Sequence, residues 1–179
     1  MVGLLALSRK VDAVNGLFGR LADWCVLLAC LISAGNATTR YLLNMSSNAM
    51  LEIQWYLFGM IVLLGASYTL KMNEHVRVDL IYGAVSDRRR LWIDAIGLAM
   101  FLLPVAGYMT YLSWPFFWTS FQQGEGSQNA GGLLVWPIKL VLPLGFALLT
   151  LQGLSELTKR VAALRGEMQF DSKYEKPLQ

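Results

Sequence analysis

The chain has 179 residues, of which 55% are hydrophobic and only 15% charged, with a mean hydropathy of +0.46. Four apolar stretches of membrane length use about half of it, which leaves too little for a separate soluble domain of ordinary size. The net charge of +3 and pI near 8.9 do not mark a nucleic-acid binder, because the cations are distributed as a membrane-topology signal.

In chain order, Met1–Leu7 is apolar ahead of its first cation, the reverse of a cleaved signal peptide. Leu4, Leu7, Val11, Val14, Phe18 and Leu21 then recur at steps of three and four between Arg9, Lys10, Asp12, Asn15 and Arg20. This spacing predicts an amphipathic helix over residues 1–20, resting on the cytoplasmic membrane surface before the chain turns inward. A straight extension of the first span is the alternative. Residues 21–154 hold the four predicted spans, roughly Trp24–Leu43, Leu51–Leu70, Trp92–Leu112 and Leu133–Leu154. Residues 155–179 read as a helix end and a polar tail. Lipid offers no hydrogen bonds to the backbone, so spanning segments of this kind are expected to be helical. The predicted fold is therefore an all-α integral membrane protein of four transmembrane helices plus the surface helix.

Lys and Arg are found before the first span, between the second and third, and after the fourth; linkers Asn44–Met50 and Ser113–Gly132 contain none. Both termini and the middle linker are expected in the cytoplasm. Trp24 and Trp92 fall at the predicted inner interface, and Trp55, Trp114, Trp118 and Trp136 at or near the outer one. Cys25 and Cys30, separated by about 7.5 Å of helical rise and facing apart, are expected as small buried residues and not as a disulfide. Small residues that allow helices to approach closely are Gly59, Gly65, Ala66 and Ser67 in span two, and Gly97, Ala106 and Gly107 in span three. Each serves either a partner or the bundle itself. Pro104, Pro115, Pro137 and Pro143 are expected to kink or start helices.

Chemistry is mostly excluded. The single histidine, His75, is in the cytoplasmic linker, so no bis-histidine haem is held, and no cysteine pair faces outward for disulfide oxidation. Asp23, Glu52 and Asp94 are expected near span ends, which argues against a proton-coupled exporter with a mid-membrane carboxylate. No Ser/His/Asp set or metal-ligand spacing is present, so an enzyme is not expected, nor a cofactor.

The remaining polar residues gather at the membrane edges. Arg40 ends span one, Glu52 opens span two, and Lys139 is about 9 Å below the outer surface. Glu52 is expected to pair with Arg40 or Lys139, within the bundle or at a partner's surface; snorkelling of the long side chains is the alternative. On the inner side, Ser86 and Asp87 suit the start of span three, and Arg77 is within reach of Asp94. Arg88, Arg89 and Arg90 suit anionic phospholipid. Outside, Phe121–Asn129 is glycine-rich and polar, an ordinary loop or a contact surface.

Several motifs combine with this topology. They are Glu52-Ile53-Gln54-Trp55-Tyr56-Leu57-Phe58, Leu64-Gly65-Ala66-Ser67-Tyr68-Thr69-Leu70, and above all His75-Val76-Arg77-Val78-Asp79 just after span two. Gly124-Glu125-Gly126-Ser127, Trp136-Pro137, Lys139 and Pro143-Leu144-Gly145-Phe146 continue the set. From Leu21 to Gln152 the chain resembles the small membrane subunit of TRAP (tripartite ATP-independent periplasmic) transporters. The resemblance implies a small permease subunit in the bacterial inner membrane. It would brace a large elevator-type subunit while a periplasmic solute-binding protein delivers an organic-acid anion. Sodium would drive the movement and bind the large subunit, not this one. Arg40, Glu52, Trp55, Tyr56, His75, Arg77, Asp79, Asp94 and Lys139 are then the expected partner-subunit or structural polar contacts. Gln122, Glu125 and Gln128 are the expected contacts to the binding protein. A self-contained homo-oligomeric transporter, or an accessory protein of another membrane complex, is the alternative.

Overall fold

The computed structural model describes residues 2–74 and 85–168, and every regular element among them is helical. The helices in chain order are α1 Val2–Leu43, α2 Asn48–Met72, α3 Asp87–Gly97, α4 Leu103–Gln123 and α5 Trp136–Leu164. Gly3–Leu43, Asn48–Met72, Asp87–Gln123 and Trp136–Leu164 are long and apolar enough to cross a membrane. His75, Arg77 and Asp79 lie outside the described residues, as does the tail from residue 169 onward.

Local chemistry sets the helix ends. Asn73 closes α2 and Gly124 closes α4, each in the left-handed conformation (φ 63° and 58°) that lets the chain leave a helix with its last carbonyls bonded. Ser86 stands at the start of α3 without a side-chain capping bond, while Asp87 pairs with Arg90 at 3.0 Å. A π-helical turn, Leu98–Leu102, joins α3 to α4 in one rod. It precedes Pro104, whose ring crowds the carbonyl four residues back, and a wider turn relieves that crowding. Pro137 is in the first turn of α5, and Pro115 and Pro143 are inside continuous helices.

The sequence led us to expect a change of direction near Arg20. None is present: α1 is one uninterrupted helix of 42 residues. Its inward face explains this. Ser8, Asn15, Gly19, Ala22, Cys25, Ala29 and Asn36 are buried, with half-buried Asp12 and Ile32 completing the run. Steps of three and four persist along nearly the whole helix, which is the periodicity of a left-handed helix–helix seam. The seam is built of small and polar residues, as close packing in lipid requires. The larger apolar stripe lies about a quarter-turn round the helix, where Leu4, Leu7, Val14 and Leu21 are exposed.

Helices α1 and α2 run side by side, α5 packs against both, and the α3–α4 rod rests on α5. Gly19 accepts the Tyr68 ring so closely that an added methyl would stand 2.5 Å from it, and Gly145 lies against the Leu63 backbone at 2.8 Å on the same measure. Gly59 meets Ile138 and Ser67 is fully buried, so both serve the bundle. Gly97 and Gly107 face open space. Cys25 is buried and Cys30 exposed, and both are free thiols.

The pairing of α1 with α2 shifts the first span. Gly16 lies opposite Lys71, Gly19 opposite Tyr68 and Ala22 opposite Gly65, while Ala29 joins Leu57 in one apolar cluster. The part of α1 level with α2 therefore begins near Gly16, not at Trp24. Trp24 and Asp23 lie deeper than their sequence positions suggested.

Candidate functional site

The polar side chains collect at the two ends of α2, near Glu52 and near Asn73, which are the outer and inner ends in the topology expected from the charges. Twenty-one residues separate these positions, about 31 Å along a helix, which matches the hydrocarbon thickness of a bilayer.

The outer cluster is organised by α2 and the segment between α4 and α5. That segment folds back on itself: Ser127 N–H donates to the Leu133 carbonyl and Val135 N–H to that of Glu125, both at 2.8 Å. Asn48, Glu52 and Tyr56, one turn apart on one face of α2, hold it in place. Asn48 Nδ2 donates to the Ala130 carbonyl at 2.9 Å and Tyr56 OH to that of Leu134 at 3.1 Å. Glu52 is only 5% exposed, and its carboxylate accepts from Leu133 N–H at 2.7 Å, Asn129 Nδ2 at 2.8 Å and the Ser127 hydroxyl.

The expected pairing of Glu52 with Arg40 or Lys139 is therefore not what the structure shows. Neutral donors from the folded-back segment reach Glu52 first. Arg40 is exposed, without an ion pair among the described residues. Lys139 pairs instead with Glu125, and its ammonium stands 4.3 Å from the centre of the Phe116 ring. This cation holds the Glu125 carboxyl below the usual carboxylate range. Trp55 projects outward, 68% exposed, and Gln122 and Gln128 are also exposed. Phe121 meets Trp136 edge to face, with centroids 5.2 Å apart, and so joins the outer ends of α4 and α5.

The inner cluster is larger, and sequence reasoning missed most of it. Arg160, 1% exposed, sits between Glu156 (Nη1–Oε2 2.6 Å), Asp94 (Nε–Oδ2 3.2 Å) and the Asn73 side chain (3.4 Å). Lys159 bridges Glu156 and Asp12, each at 2.7 Å. Gln152 is fully buried: it donates to Asp12 at 2.9 Å and Glu156 at 3.0 Å, and accepts from Asn15 at 2.7 Å. Ser155 donates to Asp12 and bonds Ser8. Side chains from α1, α3, α5 and the end of α2 thus meet in one network. Asp94 finds Arg160 here, while Arg77, its expected partner, lies outside the described residues. The signal was legible in principle. Gln152, Ser155, Glu156, Lys159 and Arg160 continue one face of the last span, and Ser8, Asp12 and Asn15 do so on α1.

One carboxylate stands apart. Asp23 follows Ala22, which faces Gly65, and Gly65 precedes Asn73 by eight residues, about 12 Å of helix. Asp23 therefore does not lie at a span end as expected. It opens into an apolar groove of about 980 Å³ between α1, α2 and the α3–α4 rod, floored by α5 residues Phe146 and Leu149.

These features define a class: a small multi-pass helical membrane protein in which networks of buried polar groups hold helices and a loop in place. The chain belongs to the family of tripartite ATP-independent periplasmic transporters, DctQ component, whose model matches residues 28–163. It is a small permease subunit of this transporter type, not a member of an enzyme family. No curated protein and no solved structure matches it.

Proposed function

We propose that this chain braces the large elevator-type subunit of a TRAP transporter during sodium-driven, binding-protein-dependent uptake of an organic-acid anion. The family match over residues 28–163 carries the reading. The structure supports it with helices locked to one another at both ends and with long apolar faces left exposed. Sodium and substrate bind the large subunit, and this chain needs no cofactor of its own. It resides in the bacterial inner membrane with both termini cytoplasmic, so the Glu52 cluster faces the periplasm. Arg88 to Arg90 meet anionic phospholipid. The solute-binding protein docks over the folded-back outer segment and touches Gln122 and Gln128. Glu125, held by Lys139, keeps that surface in shape.

Purification of the tagged chain from native membranes in mild detergent, with mass spectrometry of what accompanies it, tests the reading. A stoichiometric large polytopic subunit is the expected result. Recovery of this chain alone, as a defined oligomer, overturns it.

A further inference from the structure

Asp23 occupies a position that costs free energy in the isolated chain. The groove beside it is walled by Ala22, Val26, Val62, Gly65, Ile93 and Val105, among other residues that are nearly all apolar. Asp94 and Arg160 border the same groove, but they already pair with each other across its inner end. Asp23 has no hydrogen bond or ion pair among the described residues. A carboxylate about 12 Å inside the hydrocarbon boundary needs a cation at its own depth. An aspartate side chain is too short to reach the headgroups from there.

We propose that this groove seats a transmembrane helix of the large subunit, and that a Lys or Arg on that helix pairs with Asp23. The identity of the partner rests on the function proposed above; the need for a cation in the groove rests on Asp23 alone. Two observations select a protein helix over lipid. A phospholipid amine or its counterion stays at the headgroup level, well short of Asp23. The groove is also open toward the bilayer between α2 and the α3–α4 rod, because the rod rests mainly on α5. Gly65, Ala66 and Gly97 on its walls permit close backbone approach.

The test uses this chain co-expressed with the large subunit recovered with it. Val62→Cys and Val105→Cys, each in an otherwise unchanged groove, are cross-linked in membranes to single cysteines scanned along the large subunit's helices. Both are expected to reach the same helix, with Leu4→Cys as a control on another face of α1. In parallel, Asp23→Lys is expected to lower recovery of the large subunit at least about tenfold. Asp23→Glu should retain it, and an acidic substitution of the cross-linked helix's basic residue should restore binding to Asp23→Lys. If the large subunit co-purifies fully with Asp23→Lys and neither groove cysteine reaches it, the groove proposal is overturned while the bracing function stands. If the unsubstituted chain recovers no large subunit, both fall.

Discussion

The two polar clusters solve the same problem by different means. At the outer end one carboxylate, Glu52, gathers uncharged donors from a single folded-back segment, and one ion pair, Lys139 with Glu125, sits beside it. At the inner end, among the described residues, Asp12, Asp94, Glu156, Lys159 and Arg160 join α1, α3 and α5, and Asn73 ties in the end of α2. The outer cluster shapes a loop. The inner one fixes where α1, α3 and α5 stand relative to each other. Damage at the outer end is thus expected to stay local, and damage at the inner end to loosen the bundle.

Arg160→Met is the most severe way to break this contrast. It removes the buried cation that Glu156 and Asp94 share, although Lys159 still pairs with Glu156, and should cost up to about 3–5 kcal/mol. Loss of a monodisperse peak on size exclusion in detergent, or a large drop in thermal midpoint, is the expected result. Unchanged stability would show that the inner cluster does not hold the helices. Gln152→Leu comes next. It removes a fully buried side chain that touches Asn15, Asp12 and Glu156 and should destabilise by about 1–3 kcal/mol, again read from the thermal midpoint.

Glu52→Gln should act differently. Thermal unfolding of the helices is expected to change little, while limited proteolysis between Gly124 and Leu133 accelerates several-fold, because the segment loses its charged acceptor. Equal protease resistance would remove the distinction between the two ends. The smallest effect is pH-dependent. The folded-state pKa of Glu125 is depressed, so its contribution is fully present above the ordinary carboxylate value of 4.5 and is lost as pH falls through the folded value. Stability should therefore be flat from about pH 6 to about pH 8 on this account, well above the ordinary carboxylate range. The additional loss on acidification should disappear in Lys139→Met. A Lys139→Met protein that loses the same increment would exclude the pair as its source.

The polar positions differ in how legible they were. Glu52 and Lys139 stood out because charge is rare in apolar stretches, yet their partners did not. Ser127, Asn129 and a backbone N–H lie far along the chain, and nothing in composition distinguishes them from a solvated loop. The stripe of Leu4, Leu7, Val11 and Val14 was visible as a period, but it was the wrong face for packing. The packing is done instead by Ser8, Asn15, Gly19 and Ala22, whose short side chains let neighbouring helices approach closely.

An all-helical membrane protein with four long apolar helices was legible in the unfolded chain, as were the motifs of its family. Both follow from local properties, run length and residue type, that need no knowledge of neighbours. It took the packed helices to reveal that α1 is unbroken, that Arg160 meets Asp94, and that Asp23 opens deep into a groove. Those outcomes depend on the register between helices distant in the chain. Sliding two helices by one turn moves a charge about 5.4 Å in depth while every local pattern stays the same.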